Sequence, residues 1–273
     1  LETALAETVI NCPDSVQPGQ PFVLSVSSSG PLRDVSIAWN GKNLPLPSYS
    51  AKNPFTSAFK GEIILVMPLD GKEKALPLSV VYTENEQELR KDFTLPVIPK
   101  DYPVQTLKVD AKFVDLSEKD ARRAAVERKR NAEITARHTL DRMWELPLLR
   151  PVPGKISSLF GVRRVFNGQP RNSHRGLDFR AAEGDPIYAV ADGTVALAEN
   201  QFFAGNVAYV DHGLGFFSVY MHMSKINVAE GDKVTRGQLI GKIGSTGRAT
   251  GPHLHLSLMV HGTGADPLPL LEK

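Results

Sequence analysis

The chain has very little cysteine and no excess of charge of either sign. Of its 273 residues only Cys12 is a cysteine, which excludes an intrachain disulfide framework and a Cys-rich zinc ribbon. Because 32 basic and 30 acidic residues leave a formal net charge of +2, no general attraction to nucleic acid or to an anionic membrane is expected. No apolar run approaches the ~18 residues of a membrane helix, so no transmembrane segment is expected.

Several common catalytic motifs are also missing. The sequence has no H-E-x-x-H, G-x-S-x-G, P-loop or G-x-G-x-x-G pattern, so a hydrolase built on this chain must take its catalytic groups from elsewhere. Histidine is the residue type that is unevenly distributed, because six of the seven histidines follow residue 170. Any site chemistry is therefore expected in the C-terminal part of the chain.

The first part of the chain, residues 1–105, has the pattern of β structure. Short runs rich in Val, Ile and Phe are separated by Pro and Gly, and Asn40-Gly41 is a strong hairpin signal. This rhythm predicts an accessory β-sandwich, and Trp39 on a middle strand favours an immunoglobulin-like core. We also expect a processed or trimmed chain, because Leu1 is neither a start Met nor followed by a basic segment.

Residues 106–147 change to a helical composition. Ser117 is placed to cap a helix, strong helix formers follow as far as Arg130, and Pro147 marks the predicted end. The basic run 128–130 has acidic residues alongside it. These features predict a solvated, salt-bridged connector helix rather than a nucleic-acid-binding patch.

Residues 148–273 return to short strands punctuated by glycine, which predicts one compact antiparallel β domain. The tetrapeptide Ala-Glu-Gly-Asp at 182–185 recurs at 229–232, and this repetition predicts that one kind of turn is used twice. The predicted fold class is thus mainly β, with an accessory domain, a helical connector and a C-terminal domain.

Five side chains of the C-terminal domain are candidates for binding a metal or moving a proton: His174, Asp178, His222, His253 and His255. His174 and Asp178 are four residues apart with Gly176 between them, which favours a loop that enters a strand. His253 and His255 follow Pro252, and residues two apart on a strand share one face. His222 lies at the end of an apolar run.

These residue types suit a catalytic zinc site. Zinc binds imidazole nitrogen and carboxylate oxygen, and its catalytic sites commonly have three protein ligands and one position for water. His174, Asp178 and one histidine of the 253/255 pair would be the three ligands. The other histidine of the pair would remain with His222 for acid–base work. Spacing alone leaves open which histidine of the pair is the ligand.

In their order along the chain, these motifs resemble peptidase family M23, the zinc metallopeptidases of the lysostaphin and LytM type. The resemblance covers about Ile156 to Pro267. Four segments are its main support, namely an H-x-G-x-D motif, a central hairpin strand, a glycine-rich loop and a closing H-x-H: 174–178, 220–223, 244–247 and 251–255. Each segment is a weak signal by itself, whereas the ordered set is specific.

The resemblance implies one Zn²⁺ ion bound by His174, Asp178 and His255, with His222 and His253 as the catalytic pair. It also implies a LytM-type antiparallel β peptidase domain whose groove accepts peptidoglycan cross-links or stem peptides. The expected location is outside the cytoplasm, in the periplasm, the cell envelope or the medium. The front region resembles accessory regions of longer exported members, which cover the groove or bind a partner, so a regulatory protein partner is a further expectation.

A non-enzymatic role is the alternative. Some relatives in this family lack metal ligands and act as wall-binding proteins or as activators of other wall hydrolases. This sequence retains all three ligand positions and both catalytic histidines. The resemblance therefore favours an active metalloendopeptidase.

Overall fold

A computed structural model describes residues 7–49, 58–110 and 115–273, so the expectation about Leu1 lies outside the described residues. Strands dominate these ranges, and one α-helix is found among them. The mainly β fold class is therefore confirmed. None of the described helical residues form a segment long and apolar enough to cross a membrane.

Contacts divide the chain into two compact units, residues 1–100 and 101–273. The division falls near the predicted boundary at residue 105, and the helical region belongs to the second unit. The three-part division into accessory domain, connector and C-terminal domain stays a prediction.

Among the described residues, the first unit contains seven strands, which are β1 (Thr8–Asn11), β2 (Pro21–Ser28), β3 (Arg33–Trp39), β4 (Lys42–Pro45), β5 (Phe59–Val66), β6 (Ala75–Glu84) and β7 (Gln87–Pro96). They form one antiparallel sheet in the order β1-β2-β5 and a second in the order β4-β3-β6-β7. Inward residues of β3 alternate with less buried ones, as expected for a strand with one face in a core.

Trp39 joins the two sheets of this unit. Its indole Nε1 donates a hydrogen bond of 3.2 Å to the carbonyl oxygen of Val66, and the Phe22 ring packs edge-on against it with centroids 5.3 Å apart. The predicted hairpin is confirmed, because Asn40 and Gly41 adopt φ values of 47° and 73° and connect β3 to β4. The immunoglobulin-like assignment stays a prediction.

The strands described in the second unit are β8 (Val104–Leu107), β9 (Lys155–Ser158), β10 (Arg163–Phe166), β11 (Gln169–Pro170), β12 (Leu177–Arg180), β13 (Pro186–Tyr188), β14 (Gly193–Gln201), β15 (Gly205–Asp211), β16 (Phe216–Met223), β17 (Lys225–Ile226), β18 (Lys233–Val234), β19 (Leu239–Lys242), β20 (His253–Val260) and β21 (Thr263–Ala265). The main antiparallel sheet has the order β18-β14-β15-β16-β20-β12-β9, and β21 pairs with β20. Two small sheets, β11-β10-β8 and β13-β19-β17, flank it.

The helix α1 (Glu118–Thr135) is capped by Ser117, whose Oγ accepts a hydrogen bond of 3.1 Å from the backbone N–H of Asp120. Salt bridges between residues four apart run along it, and Arg130 also bridges to Glu199 on β14. Ile134 packs into the hydrophobic cluster of β14–β16. The predicted salt-bridged helix is therefore confirmed, and it is docked on the main sheet.

The predicted end of the helix was wrong. The helix ends at Thr135 rather than running on to Pro147. Trp144 is 1% exposed and packs edge-on against Phe216 with centroids 6.1 Å apart, while the backbone of 139–143 bonds to the turn between β15 and β16. These tertiary contacts override a composition that favoured a longer helix.

The repeated tetrapeptide forms the same turn twice, as predicted. In each copy the aspartate side chain accepts a hydrogen bond of 2.8 Å from the backbone N–H of the alanine. Gly184 and Gly231 adopt φ values of 88° and 94°, a region in which glycine avoids the strain that a side chain would introduce. The turns precede β13 and β18.

His212 is a fully buried titratable group in the core of the second unit. Its Nδ1 donates to the carbonyl oxygen of Asp192 at 2.6 Å, and its Nε2 lies 2.7 Å from Ser218 Oγ. Ser218 Oγ lies in turn 2.9 Å from Tyr220 Oη, which accepts from the backbone N–H of Val190. Burial lowers the pKa of His212 to about 4, so the native ring is neutral at pH 7 and accepts a proton only in acid.

This buried histidine predicts acid sensitivity of the fold. Because the native pKa lies below the unfolded value, the unfolded chain binds the proton first as the pH falls below about 6.5. Between pH 7.5 and pH 5 the wild type is expected to lose roughly 2 kcal/mol more unfolding free energy than His212→Asn, which has no titratable ring. Urea unfolding at both pH values measures this, and equal losses would contradict the assignment.

Candidate metal centre

Strand pairing brings the candidate ligands together. Asp178 on β12 is the direct antiparallel partner of His255 on β20, and His174 lies on the loop that leads into β12. Leu254 and Leu256 are fully buried on the opposite face of β20. The alternation of a strand therefore places the apolar residues in the core and the histidines on the polar face, as predicted.

The three ligand atoms form a tight triangle. His174 Nε2 lies 2.9 Å from Asp178 Oδ1 and 2.9 Å from His255 Nδ1, and His255 Nδ1 lies 2.8 Å from Asp178 Oδ1. Among the described residues these side chains form the one group of histidines and acids with metal-ligand spacing. Two nitrogens and one oxygen at such distances can face a single ion.

The hydrogen bonds on the far side of each histidine decide which nitrogen carries the lone pair. His174 Nδ1 donates to the carbonyl oxygen of Leu159 at 2.7 Å. His255 Nε2 lies 2.8 Å from Ser257 Oγ, whose hydroxyl donates to the carbonyl oxygen of Arg175 at 2.8 Å. Ser257 must therefore accept the His255 proton. In the neutral rings both inner nitrogens are acceptors that face the Asp178 carboxylate, and a cation between them satisfies all three.

The second carboxylate oxygen of Asp178 is held by an arginine. Arg164 Nη2 donates to Asp178 Oδ2 at 3.0 Å, and the side chains of both residues are largely buried. Each of the three candidate ligands thus has an outer partner that orients it, which is the usual arrangement around bound metal ions in proteins.

Gly176 is required by the close approach of β12 and β20. A Cβ at this position would lie 2.4 Å from His255 Nε2 and 2.6 Å from the carbonyl oxygen of Leu256. Because the Leu256 carbonyl is part of the backbone of β20, no side-chain movement would relieve this clash. The glycine between His174 and Asp178 therefore allows His255 to reach the triangle.

His222 and His253 lie beside the triangle, with rings 4.8 Å apart between centroids. His222 Nδ1 donates to the carbonyl oxygen of Thr246, and His253 Nδ1 donates to that of Gly251, each at 2.8 Å. In a neutral ring the lone pair then belongs to Nε2, and His253 Nε2 lies 4.0 Å from Asp178 Oδ1. The five candidate residues are thus brought into one cluster.

Burial favours the neutral form of two of these rings. Burial is the main cause, and the neighbouring histidines are a further cause, of the lowering of the pKa of His255 to about 4 and that of His222 to about 3. Neutral imidazole is the form that binds a metal or accepts a proton. At pH 7 both rings are therefore in the form that such chemistry needs.

The cluster opens into a groove of about 670 Å³. Its walls come from β8, from one face of α1, from the strands that hold the ligands and from the loop between β19 and β20. The sequence gave no sign that α1 would form one of these walls.

Several supporting residues were missed by sequence reasoning. Ser257 could have been found, because it lies two residues after His255 and so faces the same side of β20. Arg164 and the carbonyl of Leu159 had no such signal, since their roles depend on how β9 and β10 fold against β12. His212 was not among the five candidate residues, and it lies in the separate buried network described above.

The outer partner of His255 yields a prediction about metal affinity. Ser257→Ala removes the acceptor for the His255 proton, so the ring loses its preferred orientation and tautomer. We expect metal affinity to fall about 10- to 100-fold without loss of folding. Competition with a chelator measures the affinity, with the exposed Ser245→Ala as the matched control. Wild-type affinity in Ser257→Ala would contradict the role given to Ser257.

Comparison with known proteins agrees with this geometry. The model of peptidase family M23 matches residues 172–267. The peptidoglycan DD-endopeptidase ShyA of Vibrio cholerae is 46% identical over 115 residues, which cover 41% of this chain and 27% of ShyA. The chain therefore spans about a quarter of the length of the curated relatives that it matches.

Solved structures extend the similarity. A Pseudomonas aeruginosa protein described as a peptidase M23 superposes with a TM-score of 0.69 at 27% identity, covering 95% of this chain and 96% of that one. The catalytic domain of the antimicrobial peptidase lysostaphin from Staphylococcus simulans is 36% identical over 44% of this chain and 93% of its own, with a TM-score of 0.40. The region 172–267 of this chain therefore belongs to peptidase family M23.

Proposed function

We propose that this protein is a zinc-dependent endopeptidase that hydrolyses peptide cross-links or stem peptides of bacterial peptidoglycan. The main support is the triangle of His174 Nε2, Asp178 Oδ1 and His255 Nδ1, whose sides are 2.8–2.9 Å, together with the outer hydrogen bonds that turn a lone pair of each histidine toward its centre. Similarity to peptidase family M23 implies a metal, and the spacing of these three ligand atoms supports its binding here.

Zinc is the ion that this donor set suits best. Two imidazole nitrogens and one carboxylate oxygen form a typical catalytic zinc set with one position left for water. When bound, Zn²⁺ would lower the pKa of that water and polarise the scissile carbonyl group. His174, Asp178 and His255 are the residues that would hold it.

His222 and His253 are proposed as the proton-transfer pair. Each is held through Nδ1 by a backbone carbonyl, so each presents an Nε2 lone pair to the cluster. One such nitrogen can accept the proton of the attacking water and later deliver it to the leaving amine. The protonated ring can also donate a hydrogen bond to the oxygen on which negative charge develops.

Peptidoglycan as substrate is inferred from named relatives and from the shape of the site. ShyA is named a peptidoglycan DD-endopeptidase, and the groove of about 670 Å³ beside the cluster is large enough for several peptide residues. Since peptidoglycan lies outside the cytoplasm, we infer that the protein acts in the periplasm or cell envelope or outside the cell. A regulatory protein partner stays a prediction.

Digestion of purified sacculi tests this function. The zinc-loaded wild type is expected to release peptide fragments that mass spectrometry identifies as products of amide hydrolysis. His253→Ala should keep the metal and lose about 10²- to 10⁴-fold in rate, because it removes only proton transfer. Asp178→Ala should lose the metal and the activity together, since it removes a ligand.

His138→Ala is the matched control, because His138 is a histidine of the same unit that stacks on His261 rather than on the cluster. It should retain activity. A fully zinc-loaded wild type that releases no fragments would contradict the proposal. If His222→Ala and His253→Ala left a cellular wall phenotype unchanged, the alternative role as a wall-binding protein or activator would be correct.

A further inference from the structure

Arg248 is fixed in the wall of the groove by both its backbone and its side chain. Its guanidinium Cζ lies 5.0 Å from the ring centroid of Phe166 and 4.5 Å from that of Phe203. Its backbone N–H donates to the carbonyl oxygen of Phe203 at 2.9 Å. Stacking on aromatic faces leaves the N–H edges of a guanidinium available for hydrogen bonds.

The loop that holds Arg248 is tied to the candidate catalytic cluster. Thr246 Oγ1 donates to the carbonyl oxygen of Met223 at 2.8 Å and accepts from the backbone N–H of Asn206 at 2.9 Å. The carbonyl oxygen of Thr246 accepts from His222 Nδ1. One rigid loop therefore orients His222 and positions Arg248 in the adjoining groove wall.

Arg248 has cations rather than anions as its charged neighbours. Burial is the main cause, and the charges of Arg164 and Arg171 are further causes, of the lowering of its pKa to about 10. Arg164 is already paired with Asp178. Among the described residues, no salt bridge includes Arg248. A guanidinium that remains charged at pH 7, partly desolvated and without a carboxylate, gains most from an anionic ligand.

We infer that Arg248 binds a free carboxylate of the peptide that lies in the groove. This inference rests on the proposed function and names the class of peptide that the site prefers. A cross-link through a diaminodicarboxylic acid such as diaminopimelate has a free carboxylate beside the amine that forms the scissile amide, whereas a polyglycine bridge has none there. The planar fork of a guanidinium matches a carboxylate through two parallel hydrogen bonds.

A general positive field is the competing explanation. Arg128, Arg175 and Arg180 also line the groove, and all three are exposed. A field effect would treat these arginines and Arg248 alike and would weaken with salt. If the carboxylate site is specific, carboxylate binding depends on Arg248 and not on the three exposed arginines, because only the Arg248 guanidinium is held in place by stacking on Phe166 and Phe203.

The test compares two cross-linked muropeptide dimers. Both are joined by a D-alanyl–diaminopimelate bond, and they differ only in whether the carboxylate beside that bond is free or amidated. For the free acid we expect Arg248→Gln to lower kcat/KM about 10- to 100-fold, mainly through KM, because a charge-assisted hydrogen bond is lost. For the amidated dimer, Arg248→Gln should have the same kcat/KM as the wild type. Arg248→Lys should fall between wild type and Arg248→Gln on the free acid.

Arg128→Gln removes the same charge from the same groove, and in 150 mM salt it should leave the ratio of the two rates at its wild-type value. Equal kcat/KM of the wild type on the two dimers would overturn the inference, as would equal losses on both dimers in Arg248→Gln or a matching loss in Arg128→Gln. If Arg248→Gln did not fold, the dimer preference of the wild type and the loss of that preference in Arg248→Lys would decide the matter. A zinc-loaded wild type that cleaves neither dimer would instead refute the proposed function.

Discussion

The pairing of β12 with β20 is the constraint on which the rest of the site depends. It sets Asp178 directly opposite His255 and brings the loop before β12 close enough for His174 to complete the triangle. A slip of one residue would turn His255 into the core and Leu254 toward the groove. The fully buried Leu254 and Leu256 therefore fix the register, and the hydrophobic core indirectly determines the metal geometry.

Backbone carbonyls and one hydroxyl do most of the work of orienting the histidines. His174, His222 and His253 each donate from Nδ1 to a main-chain oxygen, and His255 donates from Nε2 to Ser257. Main-chain acceptors are held by the sheet and its loops, so the rings are set before any ion or substrate arrives. Such preorganisation lowers the free energy needed to assemble a reactive arrangement.

Sequence reasoning succeeded where local spacing determines geometry. The Asn40-Gly41 hairpin, the Ser117 cap and the paired Ala-Glu-Gly-Asp turns all depend on a few neighbouring residues, and all were predicted. It failed at the end of α1, because the chain after Thr135 is not helical and Trp144 packs against Phe216. The energy of burying that indole comes from residues distant in sequence, which local helix preference does not register.

The sequence by itself indicated the mainly β class and four residues of the cluster, because strand periodicity and the H-x-G-x-D and H-x-H spacings are local properties, and it indicated His222 by its place at the end of an apolar run. Only the tertiary structure decided how these residues are supported. Arg164 reaches Asp178, the Leu159 carbonyl oxygen accepts from His174, and Arg248 stacks on Phe166 and Phe203. Most of these contacts join segments far apart in the chain, and folding alone brings their hydrogen-bond donors, acceptors and rings within reach.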